Sequence, residues 1–107
     1  MYILNITTNI ANNIEPKWLH WMQNTFIPAM LATKKFNKAL LTQVQIEEEM
    51  GGVTYSTQYF ANGKTEIEAF YKEDQNELLS KHTQFKGMYV DFSTELKVIN
   101  QFFENAN

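Results

Sequence analysis

The sequence predicts an α+β domain in which four strands form one antiparallel sheet and two helices cover one of its faces. Three observations carry that prediction. Val53 to Ala61, VTYSTQYFA, is built almost wholly from β-branched and aromatic residues, as a strand requires. Two long segments carry apolar residues at three- and four-residue spacings, the signature of helices with one buried side. The segments alternate along the chain as strand, helix, strand, strand, helix, strand.

Met1 to Ile10 opens the chain as a strand, with Tyr2, Leu4, Ile6, Thr8 and Ile10 alternating against Ile3, Asn5, Thr7 and Asn9. Asn12-Asn13 then offers a turn and an N-cap, Pro16 is tolerated in a first helical turn, and a helix is predicted as far as Ala32. Pro28 falls late in it, where the missing N–H predicts a kinked or tightened end. Trp18, Trp21, Met22, Phe26 and Met30 share one stripe; core packing is the ordinary explanation and an aromatic ligand wall the sharper one. The winding between Trp18 and Trp21 predicts that one of them lies deeper than the other.

Asn37 to Ile46 is the second predicted strand, with Leu40, Thr42, Val44 and Ile46 on one side and Leu41, Gln43 and Gln45 on the other. Glu47-Glu48-Glu49-Met50-Gly51-Gly52 forms a hairpin tip, its glycines free to take positive φ. Adjacent glutamates do not reproduce the spaced ligands of a calcium loop, so a solvated tip is expected there and no metal site anywhere. In the third strand, Tyr55, Thr57 and Tyr59 point one way, towards the helices, and Thr54, Ser56, Gln58 and Phe60 the other. Thr65-Glu66-Ile67-Glu68 has the form of a capping box for a second helix, whose stripe runs through Ile67, Phe70, Tyr71, Leu78, Leu79 and His82 before Gly87 ends it. Met88 to Ile99 is the last strand, with Val90, Phe92 and Leu96 predicted inward and Tyr89, Asp91, Ser93 and Glu95 outward.

This order is the split βαβ, or ferredoxin-like, arrangement, in which right-handed crossovers bring both helices to one face. Leu4, Ile6, Tyr55, Tyr59, Val90 and Phe92 are then expected under the helices. The open face is expected to collect Asn5, Thr7, Gln43, Gln45, Ser56, Gln58, Asp91, Ser93 and Glu95, together with the more apolar Leu41, Phe60 and Tyr89 as a subunit contact. One domain over residues 1–100 is expected, followed by a short tail over 101–107 whose Phe102-Phe103 is too apolar to be left in water.

With 107 residues, 44% of them hydrophobic, the chain can bury one core. The absence of cysteine removes disulfides and thiolate chemistry, and the absence of arginine removes the bidentate fork that grips phosphate. A net charge of -3 and acidic residues on the expected open face speak against a nucleic-acid partner. No stretch approaches the ~20 apolar residues of a membrane span, and no leader pattern is visible, so a cytoplasmic protein is expected.

The stretches MYILNITTNI, WLHWM with FIPAMLAT, GGVTYSTQYFA and YVDFSTELKVI together resemble, over nearly the whole chain, a small bacterial family of unknown function, the DUF-4286 type. That family is similar to the dimeric α+β barrel proteins, in which two ferredoxin-like subunits associate through their sheets. The wider group includes cofactor-free monooxygenases, sugar mutarotases and haem-binding enzymes. The resemblance implies a homodimer, and it implies a histidine ahead of the Ile-Pro pair, where this chain carries Phe26 before Ile27-Pro28. His20, about 600° of winding earlier, does not replace it.

Two functions of different classes follow. A small-molecule-binding or interaction module without a cofactor would use Trp18, Trp21, Tyr55 and Tyr59 as pocket walls. A cofactor-free enzyme of the monooxygenase or isomerase kind would need proton transfer, for which His82 with Asp91 or Glu95 are the candidates. A histidine at the end of an amphipathic helix is ordinarily a packed residue, so the binding module ranks first.

Overall fold

The computed structural model describes residues 1–49 and 51–105; Met50, inside the predicted hairpin tip, and Ala106 and Asn107, at the end of the predicted tail, lie outside them. Strands β1 (Tyr2–Ile10), β2 (Lys38–Gln43), β3 (Val53–Ala61) and β4 (Tyr89–Lys97) form one antiparallel sheet in the order β2-β3-β1-β4. Between β1 and β2 run α1 (Glu15–Trp21), a π-helical stretch (Met22–Phe26) and α2 (Ile27–Ala32). Between β3 and β4 run α3 (Lys64–Glu73), α4 (Gln75–Lys81) and a 3-10 turn (His82–Phe85). This is the ferredoxin-like arrangement that the element order predicts.

The π-helical stretch falls immediately before Pro28. Proline has no N–H to give, and its ring crowds the carbonyl of residue 24, so the turn ahead of it opens and Ile27 N–H bonds to the Met22 carbonyl, five residues back. The predicted disturbance at Pro28 is therefore real, but it precedes the proline and widens the helix rather than tightening its end. At the other end Ile14 occupies the N-cap position and no side chain caps the helix, so Asn12-Asn13 supplies the turn and not the cap.

The second predicted helix is two. Asp74 leaves the helical region at φ -123, and its carboxylate takes an ion pair from Lys35 Nζ at 3.1 Å, which ties the break to the segment following α2. Gly63 is the N-cap of α3 and Thr65 lies inside the helix, so the predicted capping box does not form. Gly87, at φ +84, makes the turn into β4 as expected.

One layer of core lies between helices and sheet. Leu4, Ile10, Tyr55 and Tyr59 from β1 and β3 meet Trp18, Met22, Phe26 and Met30 from the first helical run and Ile67, Phe70, Leu78 and Phe85 from the second. No helix among the described residues is long and apolar enough to cross a membrane.

The fourth strand corrects the predicted faces. Its register sets Asp91 opposite Thr8, Ser93 opposite Ile6 and Glu95 opposite Leu4, so these three side chains share the helix-side face. Val90, Phe92 and Leu96 stand on the open face, where Phe92 is 63% exposed. The reason is β4's place at the sheet edge, where the helices do not reach far enough to demand an apolar inner side. The same parity argument moves two predicted contact residues: Leu41 pairs with Thr57 and Tyr89 with Ile10, both on the helix side, while Phe60, opposite Ile3, keeps its predicted place on the open face. Gln43, paired with Tyr55, also joins the helix side, and Gln45 lies beyond the end of β2. With Asp91 and Glu95 removed from the open face, the acidity once expected there disappears, and Lys38 is its one strand lysine, 4.8 Å above the Phe60 ring.

Candidate functional site

His82 begins the 3-10 turn at the end of α4, where the helical stripe that contains Leu78 delivers it beneath the first helical run. It is 6% exposed. Trp18 Nε1 donates a hydrogen bond to His82 Nε2 at 3.0 Å. An indole nitrogen can only donate, so Nε2 must accept, and the neutral ring therefore carries its proton on Nδ1. Tyr89 stacks on the imidazole with ring centres 3.9 Å apart, Trp21 lies nearly parallel at 5.3 Å, and Phe85 meets its edge.

Burial lowers the His82 pKa from 6.5 to about 4, so the ring is neutral at physiological pH. Its Nδ1 faces Asp91 Oδ2 at 3.9 Å, too long for a hydrogen bond, and with a neutral ring the two groups are not an ion pair. The Asp91 carboxyl, 33% exposed, is pushed upward by burial. Tyr89 is likewise raised, by burial first and by the Asp91 charge second.

Beside this pair is a cavity of about 30 Å³ lined by Thr8, Trp18, Met22, Phe26, Thr57, Tyr59, His82 and Asp91, with Ile6 and Leu79 at one side. The Tyr59 hydroxyl is buried and has no hydrogen-bond partner among the described residues; burial alone pushes its pKa far up, so it stays protonated and able to donate. A second cavity of about 30 Å³ shares Ile6, Phe26 and Leu79 with the first and continues between Met30, Phe70, Leu78 and Ser93. Phe26, where the family resemblance implies a histidine, thus borders both spaces, and its ring centre lies 6.0 Å from that of His82.

The residues singled out from sequence separate into three groups. Trp18, Tyr59, His82 and Asp91 come together around the first cavity. Trp21 and Tyr55 stand one step back: Trp21 stacks on His82, while Tyr55 packs its ring 5.2 Å from Trp18 and donates its hydroxyl to Glu15 Oε2 at 2.5 Å; burial first, and the Glu15 carboxylate second, raise its pKa to about 12. Glu95 is apart, its Oε2 accepting from the Tyr71 hydroxyl at 2.9 Å, so Asp91 and not Glu95 is the carboxylate neighbour of His82. Sequence reasoning missed Thr8 and Thr57. Both lie on the inward face of strands whose other inward residues are aliphatic or aromatic, and that break in pattern was the available signal. No group of three or more potential metal ligands is present among the described residues.

Three solved structures share this architecture. A dimeric ferredoxin-like protein from an uncultured marine organism is similar with a TM-score of 0.68 at 13% identity, over 97% of this chain and 100% of that one. A second dimeric ferredoxin-like protein from an uncultured marine organism gives 0.64 at 13% identity, over 94% and 98%. An ethyl tert-butyl ether D (EthD) family protein from Bacillus halodurans C-125 gives 0.59 at 12% identity, over 88% and 97%. At such identities the likeness speaks for the fold alone. Curated proteins yield no match. A family model does match, over residues 1–99, and on that match the chain belongs to the DUF4286 family, a domain of unknown function.

Proposed function

We propose that this protein is a homodimeric small-molecule-binding protein whose ligand enters the cavity beside His82. The observation that carries the reading is the Tyr59 hydroxyl, a buried donor with no hydrogen-bond partner among the described residues, in a cavity shared with an imidazole and a carboxylate. A buried hydroxyl left unpaired costs about 1–3 kcal/mol, a cost that an accepting ligand removes. A thermal-shift screen of small polar and aromatic compounds tests it, because a ligand at a hundred times its Kd stabilises by about 2.7 kcal/mol. Compounds that raise Tm in the natural protein but not in a Trp18→Ala or Tyr59→Phe variant support the cavity. A screen in which every hit is insensitive to both substitutions removes it.

The dimer is supported by the descriptions of two structural neighbours as dimeric and by Val90, Phe92 and Leu96 standing exposed on the open face. Phe102 and Phe103 are also exposed, and the proposal assigns them to the same contact. A cytoplasmic location, expected from the sequence pattern, and a bacterial source, implied by the family resemblance, belong to the same proposal. A nucleic-acid partner is not part of it, since the open face holds a single strand lysine.

A second reading, a cofactor-free enzyme, is favoured by Asp91. Neutral His82 has its Nε2 lone pair engaged by Trp18 and its Nδ1 already protonated, so it is a donor and not a base. Asp91, raised by burial yet open to solvent on one side, is the group that could take a proton from a bound molecule. Loss of turnover in Asp91→Asn with binding retained would favour this reading over the first.

A further inference from the structure

We propose that the site selects a neutral, flat, largely apolar molecule carrying a carbonyl oxygen, held between the Nδ1–H of His82 and the hydroxyl of Tyr59, with the Leu79 side chain as the movable wall that lets it in. This rests on the cavity being the ligand site and adds the chemical class of the ligand.

The argument begins with proton positions. Trp18 can only donate, which fixes Nε2 of His82 as acceptor and leaves N–H at Nδ1, directed to the Asp91 side of the cavity. Asp91 Oδ2 at 3.9 Å does not receive that proton in a hydrogen bond. The Tyr59 hydroxyl is a second donor on this cavity, buried and without a hydrogen-bond partner among the described residues. Two donors seeking acceptors call for a ligand oxygen with two lone pairs, which a carbonyl supplies.

Charge then narrows the class. An anionic oxygen would also accept both bonds, but the lining of the cavity contains no lysine, the chain contains no arginine, and Asp91 would repel a negative ligand. A neutral carbonyl avoids that repulsion. Apart from Thr8 and Thr57, the remaining wall, Ile6, Trp18, Met22, Phe26 and Leu79, is apolar and partly aromatic, which suits a flat hydrocarbon body.

Size brings in Leu79. Each cavity alone, at about 30 Å³, suits water rather than an organic molecule. The two share Ile6, Phe26 and Leu79, and of these Leu79 is the one standing 47% exposed, on a helix that the break at Asp74 separates from α3. Swinging it outwards gives up little buried surface and joins the two spaces into one slot from Asp91 to Phe70.

The test uses benzaldehyde, toluene and benzoate as probes of one shape, followed in the full chain by the NMR shift of the Trp18 indole N–H, together with the ¹⁵N resonances of the His82 ring in the free protein. Benzaldehyde is expected to saturate, with toluene and benzoate each at least tenfold weaker. Tyr59→Phe should weaken benzaldehyde about tenfold and leave toluene unchanged, and Leu79→Ala should tighten both. Toluene or benzoate binding as tightly as benzaldehyde would leave the cavity as a ligand site and overturn the carbonyl assignment. A His82 ring protonated on Nε2 at neutral pH would overturn it without any ligand, and a site that water alone fills, with no probe saturating in the natural protein or in Leu79→Ala, would overturn both this inference and the reading beneath it.

Discussion

Lowering the pH should destabilise the fold through His82 before any other group described here, and the size follows from its burial. In the unfolded chain the imidazole takes a proton as pH falls through 6.5, whereas in the folded chain it stays neutral until about 4. Between those values the unfolded state binds the extra proton, so stability is full above pH 6.5 and declines as pH falls to about 4. At about 1.4 kcal/mol per tenfold, the loss comes to about 3 kcal/mol. Asp91 acts in the opposite sense: its raised pKa means the folded chain holds that proton more readily, which relieves an unfavourable contribution as pH falls. Its partial exposure makes this the smaller effect. The assay is urea unfolding at pH 7, 5.5 and 4 for the natural protein and for His82→Gln, whose amide oxygen can still accept from Trp18 but cannot titrate. The difference between the two proteins should shift by about 3 kcal/mol against the natural protein from pH 7 to pH 4, or roughly 12–24 °C in Tm for a domain of this size. Curves parallel within roughly 0.5 kcal/mol would refute the buried neutral imidazole.

Other expectations are open to direct measurement. Trp18, fully buried and bonded to His82, should cost ~3–5 kcal/mol on replacement by alanine, and half-buried Trp21 distinctly less; equal small losses in chemical denaturation would show that the stripe is not core. Light scattering at micromolar concentration should give a dimeric mass that Phe92→Glu converts to monomer, since a charge on an apolar contact is not tolerated when paired against its own copy; an unchanged dimer would move the contact elsewhere. Gly52 and Gly51 both take positive φ, but only at Gly52 would an added Cβ collide with the Asn9 side chain, so Gly52→Ala should lose more thermal stability than Gly51→Ala.

The sequence made β1 and β3 legible on both faces because they lie at the centre of the sheet, where the helices require Leu4, Tyr55 and Tyr59 and the opposite parity is left to Asn5, Ser56 and Gln58. It misled at β4, although the alternation itself was read correctly. Period two reports that a strand has an apolar side without saying which layer that side meets. At an edge strand with uncovered inner residues, Val90, Phe92 and Leu96 mark the open face instead. The candidate site inherits that error: the alternation points to Asp91, but puts it on the wrong side of the sheet. His82 was legible as the polar residue of a helical stripe, whereas its bond to Trp18, 64 residues away, had no local trace.

The widened turn at Met22–Phe26 has a consequence for phase. Trp18, Met22, Phe26 and Met30 are all buried, yet they recur every four residues, and on an α-helix three such steps overshoot three whole turns by ~120°. An unbroken α-helix would carry Met30 a third of the way around the cylinder from Trp18. The five-residue bonding of the π stretch takes more residues per turn and so holds the repeat back towards a single line. Met22 and Phe26 bound that stretch and also line the cavity beside His82, so the stretch that keeps the helix in phase also forms part of the wall of the site. Removing one residue between 22 and 26 would restore regular α geometry and leave eleven steps from Trp18 to Met30, only ~20° beyond three whole turns, so Met30 would stay in the core while the widened turn beside the cavity is lost.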